Sequence, residues 1–203
     1  MKLRGRLGKR LLVGAAVIVV LLLVSYLAIA IISMLAVSNF RESATKQLNP
    51  VINGDDTNQV QAATLAYVPA AKILNPTYKK VANAQTEYHE LLNSARSYNL
   101  VKKYQDKLVK FYNDNSNASS DPQLSAGILN DTNSYLSVIK NNYRDQSSRI
   151  DELKNLASLI SNSTNFSQIS SQLDTVIAND SNWIDSLRSS LNTEILNFQK
   201  IVD

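Results

Sequence analysis

The chain has 203 residues with 21 basic and 17 acidic side chains, one histidine and no cysteine. The missing cysteine excludes disulfides, thiolate metal sites and cysteine nucleophiles. The five glycines (Gly5, Gly8, Gly14, Gly54, Gly127) are too scattered to form a phosphate-cradling loop, and one histidine cannot supply the paired Glu-x-x-His elements of a helical di-iron site.

The charge is unevenly spread. Lys2, Arg4, Arg6, Lys9 and Arg10 crowd the first ten residues, and no acid precedes Glu42. Beyond them, 16 basic residues face 17 acidic ones, so the body is nearly neutral with a net charge of −1. A nucleic-acid binder carries its positive charge as a patch on the folded domain. No nucleic-acid partner is expected.

Leu11 to Val37 form an apolar run of 27 residues without a charge. About 20 residues cross a bilayer core, whereas the apolar part of a signal peptide spans about 7–15. Small-x-small patterns occur at Ala28-Ile29-Ala30 and Ala36-Val37-Ser38. The first runs on into Ile31-Ile32, and the second follows an apolar stretch too long for ordinary processing. The run therefore reads as an uncleaved signal anchor, with the lipid bilayer as its partner. The five leading cations place the N-terminus in the cytoplasm and the body outside. At ~1.5 Å per residue the run is about 40 Å long, against a hydrocarbon core of ~30 Å. Tilt, or helix continuing past the surface through Arg41 to Leu48, would absorb the excess. No second run of spanning length appears, so one crossing is expected. The resulting layout is a basic tail (1–10), an anchor (11–37), a stalk (38–56) and a body (57–203).

Asn49-Pro50 is expected to stop the anchor helix, because the residue before proline disfavours the α region. Asn53-Gly54-Asp55-Asp56 supplies turn chemistry. Asp56 can then cap a short helix from about Thr57, with Val60, Thr64, Tyr67 and Ala71 on one side and Pro69 interrupting it. Asn75-Pro76 reads as the cap and first position of the next helix. Its inward series is Val81, Ala84, Tyr88, Leu91, Ala95 and Tyr98, resuming as Val101, Tyr104, Leu108 and Phe111 after a phase shift near Asn99. The polar stretch Asn113–Asp121 is the loop that follows.

Asp121-Pro122 repeats the start signal. A single helix is expected to present Leu124, Ile128, Tyr135, Ile139, Gln146, Ile150, Leu153, Ala157 and Ile160 along one stripe. After a loop at Ser161–Thr164, Asn165 is a candidate N-cap with Gln168 at the third helical position. The last helix carries Phe166, Ile169, Leu173, Val176, Trp183, Leu187, Leu191, Ile195, Phe198 and Val202. Three helices of about 36–40 residues with short connections predict an all-α fold. Its expected form is an elongated antiparallel bundle of three to four long helices behind one transmembrane helix. A short echo links Asn130-Asp131-Thr132-Asn133 with Asn179-Asp180-Ser181-Asn182. A chain this rich in Asn, Asp and Ser produces such echoes by chance, and a duplicated unit needs longer self-similarity.

Candidate chemistry is sparse. His89 falls between the seam positions Tyr88 and Leu91, on or beside the solvent face. No glycine elbow surrounds any serine. Asp114, Asn115, Asn117 and Asp121 resemble a calcium loop but lack its glycine and terminal glutamate. No catalytic residue, cofactor or metal site is therefore expected. The tyrosines combine an apolar body with a polar tip, which suits both half-buried seams and contact surfaces. Tyr88, Tyr98, Tyr104 and Trp183 are the candidate interaction residues.

These features suit a non-enzymatic, extracytoplasmic interaction or scaffold module of the cell envelope. Its partner would be another envelope or surface protein, or a second copy of the chain. The alternative is a ligand-sensing bundle that signals through a partner membrane protein, since only about ten residues lie inside. The layout resembles that of several families of single-pass envelope proteins, LemA-type proteins among them. That resemblance is architectural and implies a tethered helical body, with no residue-level roles to carry over.

Overall fold

The computed structural model describes residues 2–53, 61–115, 122–163 and 165–203. Among them are six helices and no strand: α1 (Lys2–Asn53), α2 (Ala71–Leu74), α3 (Pro76–Asn115), α4 (Pro122–Asn142), α5 (Ser147–Asn162) and α6 (Phe166–Val202). The all-helical expectation holds. One helix, α1, is long and apolar enough to cross a membrane.

The chain divides into two compact units, Met1–Lys46 with Ala62–His89 and Phe198–Asp203, and Gln47–Gln61 with Glu90–Asn197. In the first unit, the α1 side chains from Leu12 to Ala28 are exposed all round. From Ser33 onward one stripe turns inward: Ser33, Ala36, Val37, Phe40 and Ala44 are buried. The steps of three and four are those of a single helix face. Phe40 meets Tyr88 of α3 edge-on at 5.4 Å, and Tyr88 meets Phe198 of α6 at 5.7 Å. Offset and edge-on ring contacts of this kind add about 0.5–1.5 kcal/mol each beyond area burial. Residues 38–46, read from sequence as part of a stalk, are therefore helix with a core-facing side.

Residues 61–68 carry no helix, which corrects the short helix expected from about Thr57; residues 54–60 lie outside the described residues. The reason is a competing set of hydrogen bonds. The Tyr88 hydroxyl accepts from Ala63 N at 3.0 Å. The Tyr78 hydroxyl accepts from Val68 N and donates to Ala66 O, both at 2.8 Å. Backbone groups tied to side chains in this way are lost to a helical ladder, and Pro69 prevents its continuation. The short α2 follows, and then Asn75. The Asn75 side chain accepts from Tyr78 N at 3.1 Å, which is the cap expected for α3.

In the second unit, α1 continues through Pro50 to Asn53, so Asn49-Pro50 does not stop it. Proline so near the end costs the ladder one hydrogen bond. Buried Leu48 and Val51 hold the turn in place, and Arg188 Nη2 donates to the Ile52 carbonyl at 3.4 Å. Leu91, Leu92, Ala95, Tyr98, Val101 and Leu108 of α3 are buried. At the next turn Gln105 takes the inward place expected for Tyr104, and its amide donates to Ser181 Oγ of α6 at 2.9 Å.

The single long helix expected over 122–160 is two helices packed against each other, α4 and α5, joined at residues 143–146. Asn142 closes α4: its Nδ2 donates to Val138 O at 2.8 Å, and Ser97 Oγ of α3 donates to its Oδ1 at 3.0 Å. Near the other end of α4, Gly127 lies against the Phe111 ring of α3, where a Cβ would approach to 3.0 Å. Contacts at 97–142 and 111–127 mean that α3 and α4 run in opposite directions. Asn165 caps α6 through Ser167 N at 3.2 Å, as the sequence indicated.

Candidate functional site

The sequence-predicted contact residues are not brought together. Tyr88 and Tyr98, expected as interaction residues, are buried in their units' cores. Packing explains it, since both sit on the uninterrupted inward stripe of α3. Tyr104 is half-buried with Lys107 Nζ 4.8 Å above its ring. Trp183 is half-buried and edge-on to Tyr143 at 5.4 Å, while its neighbour Ile184 takes the inward position. His89 is half-buried with its ring 5.4 Å from Tyr88. Arg4, Arg6, Lys9 and Arg10 lie on the first turns of α1, as does Lys2. Of the calcium-like series, Asp114 and Asn115 end α3, and Asn117 and Asp121 lie outside the described residues.

Sequence reasoning missed a buried polar cluster in the second unit. Its centre is Asp180 of α6, only 1 % exposed. Asp180 occupies the core stripe four residues after Val176 and four before Ile184, so helix geometry forces it inward. Arg149 of α5 approaches its Oδ1 at 3.8 Å and pairs more closely with Glu152 at 2.8 Å. Asn179 Nδ2 donates to the other Glu152 oxygen at 3.2 Å. Thr132 and Tyr135 bring buried hydroxyls from α4. Neither hydroxyl, and neither oxygen of Asp180, reaches a partner in hydrogen-bond geometry.

Burial sets the electrostatics. Desolvation pushes Asp180 up to about 7, against the opposing pull of Arg149. Tyr135 is itself raised, by burial first and then by the neighbouring Asp180 carboxylate. Such a cluster can bind and release one proton near neutrality. Asp180 is 1 % exposed, so that proton sits in the core of the unit and not at its surface.

A small crevice in the same unit, about 160 Å³, is lined by Tyr98, Tyr143, Leu187, Ser190, Leu191 and Glu194, together with Ser94. Burial raises Tyr143 to about 12 and also raises Tyr98, where Arg188 and Lys102 oppose it. Both phenols are therefore neutral hydrogen-bonding groups at physiological pH. Typical small-molecule pockets run from about 300 to 1,000 Å³, so this one admits no more than a fragment-sized guest. Among the described residues, no three His, Asp or Glu side chains converge as metal ligands would. Comparison with known protein families, with curated proteins and with solved structures found no match to this chain.

Proposed function

We propose that this protein is a membrane-anchored helical-bundle module of the cell envelope. It would work by contact with another envelope or surface protein, without catalysis. The N-terminus lies in the cytoplasm, α1 crosses the bilayer once, and the helical body stands outside. The observation that carries the reading is the two-part character of α1. Its side chains are exposed from Leu12 to Ala28, and Ser25 and Tyr26 are the only ones among them with a polar group. The same helix then contributes a buried face from Ser33 to Ala44. A helix apolar on every side belongs in lipid, and one with a single buried stripe belongs to a folded body.

The buried tyrosines and the enclosed Asp180 favour a scaffold over a turnover site, because chemistry needs groups a substrate can reach. In-cell photocrosslinking at half-buried Tyr104 and Trp183 tests partner capture, together with metal analysis of the purified protein. A discrete adduct with one envelope protein is expected. Stoichiometric bound metal, or loss of function in a folded His89→Ala variant, would contradict the reading. The crevice at Tyr98 and Tyr143 favours the second reading, a ligand-sensing bundle signalling through a partner membrane protein. Its small volume places that reading behind the first.

A further inference from the structure

Outside α1, only four large apolar side chains are strongly exposed among the described residues, and three fall within eight positions: Tyr67 at 80 %, Ile73 at 86 % and Leu74 at 44 %. Soluble surfaces carry such residues singly, and their clustering marks a contact site.

The cluster has a fixed height along α1. Asn75 Nδ2 donates to Ser33 Oγ at 2.8 Å, and Ser33 Oγ donates on to Ala30 O at 2.9 Å. Leu74 then shares a crevice of about 210 Å³ with Tyr26, Ile29, Ala30, Met34, Asn75 and Pro76. These α1 residues belong to the apolar run, which ends at Val37. Ile29 and Ala30 precede that end by seven or eight residues, about 10–12 Å at ~1.5 Å per residue. Whatever medium covers the exposed faces of Ile31, Ile32 and Met34 also meets Ile73 and Leu74.

We infer that α2 and its flanks form a second membrane contact, a foot that enters the outer leaflet of a phospholipid bilayer beside α1. The inference rests on the membrane reading of α1. Interfacial helices bury their apolar faces about 5–10 Å into the headgroup and acyl boundary, which matches the height of Asn75, whose partner Ser33 precedes Val37 by four residues, about 6 Å.

The amide donors of α2 are satisfied within the segment. The N–H groups of Ala71, Lys72, Ile73, Leu74 and Asn75 all donate within the segment, to Val68, Pro69, Ala70, Ala70 and Ala71 carbonyls. Pro69 and Pro76 have none to satisfy. Hydrocarbon tolerates backbone only when its polar groups are satisfied internally. The Asn75–Ser33 pair likewise satisfies both side chains where water is scarce. Exposed Lys72 lies within the foot, and exposed Lys79 and Lys80 follow it; all three can extend to headgroup phosphates while their stems stay apolar.

The absence of native cysteine makes the test clean. Ile73→Cys, Leu22→Cys and Glu87→Cys variants of the full chain are each labelled with an environment-sensitive fluorophore. They are then reconstituted in vesicles of phosphatidylcholine and phosphatidylglycerol containing spin-labelled lipids. The Ile73 label is expected to be blue-shifted and quenched best by a label near the headgroup. The Leu22 label should be quenched best by one deep in the chain, and the Glu87 label by neither. An Ile73 label that behaves like Glu87, with Leu22 still quenched, overturns the foot and leaves the anchor standing. A Leu22 label that also escapes quenching overturns the membrane reading and the foot with it. An Ile73 label shielded from water but unquenched by lipid, in a protein that crosslinks as a dimer through that site, assigns the patch to a second copy and overturns the lipid assignment.

Discussion

Replacing Asp180 by Asn removes a charge without changing the shape of the side chain, and its effect on stability should depend on pH. Desolvation holds the folded carboxyl near 7, whereas its ordinary value is 3.8. Below about pH 4 both the folded and unfolded carboxyls are protonated and the site contributes no pH dependence. As pH rises toward 7 the unfolded chain ionises first, while the folded carboxyl keeps its proton. Stability is therefore lost across that window and levels off above it. Each unit is worth 1.36 kcal/mol, so a separation of about three units amounts to roughly 4 kcal/mol. Asn cannot ionise, so the variant escapes this loss. The stability of Asp180→Asn relative to the native chain should rise by up to about 4 kcal/mol between about pH 4 and about pH 8. The surface carboxylates are shared by both proteins and cancel in the difference. Urea melts of the full chain in detergent micelles, followed by far-UV circular dichroism at constant ionic strength, would measure it. Parallel stability curves for the two proteins across that range would refute the assignment of a raised, buried carboxyl.

Other substitutions test the packing and the tyrosine ties. Leu153→Asp should cost several kcal/mol by burying an unpaired charge, while exposed Ser147→Asp should leave the same urea midpoint nearly unchanged. Phe40→Ala should cost about 3–5 kcal/mol in the same melts, because a fully enclosed ring contacting Tyr88 is removed. A fragment beginning at residue 50 discards Phe40, Ala44 and Leu48, and should melt with less cooperativity than one beginning at residue 38. Tyr78→Phe removes the hydroxyl that joins Val68 N and Ala66 O. It should cost about 1–2 kcal/mol, and hydrogen exchange at Val68 should accelerate.

The helix stripes were legible because steps of three and four persist through α3 and α6, and most residues in those series are buried. Asp180 was equally legible by spacing, four residues after Val176, yet an acid in an Asn/Asp/Ser-rich stretch reads as solvated. Thr132 and Asp180 both lie in the short echo, which reads as a chance product of composition. The break at Tyr143 left a fainter trace: the expected stripe jumped from Ile139 to Gln146, with no glycine or proline to mark a turn. Asn142, closed by Val138 and Ser97, does that work. The segment 61–68 misled because Thr64, Tyr67 and Ala71 keep helical spacing. The hydroxyls that divert its backbone come from Tyr78 and Tyr88, which are distant in sequence. Pro50 misled for the opposite reason. Its local cost is one lost hydrogen bond and crowding against the preceding turn, and buried Leu48 and Val51 hold that turn in place.

Topology in intact cells tests the central proposal most directly. Since the chain has no cysteine, Gly8→Cys and Ser137→Cys each give a unique reporter, at the basic end of α1 and on an exposed face of α4. The account predicts that a membrane-impermeant maleimide labels Ser137→Cys in intact cells, and Gly8→Cys only after permeabilisation. Both proteins should stay in the membrane pellet through alkaline extraction. Labelling of Gly8→Cys with Ser137→Cys protected, or a mature protein beginning at Ile31 or Asn39, would contradict it.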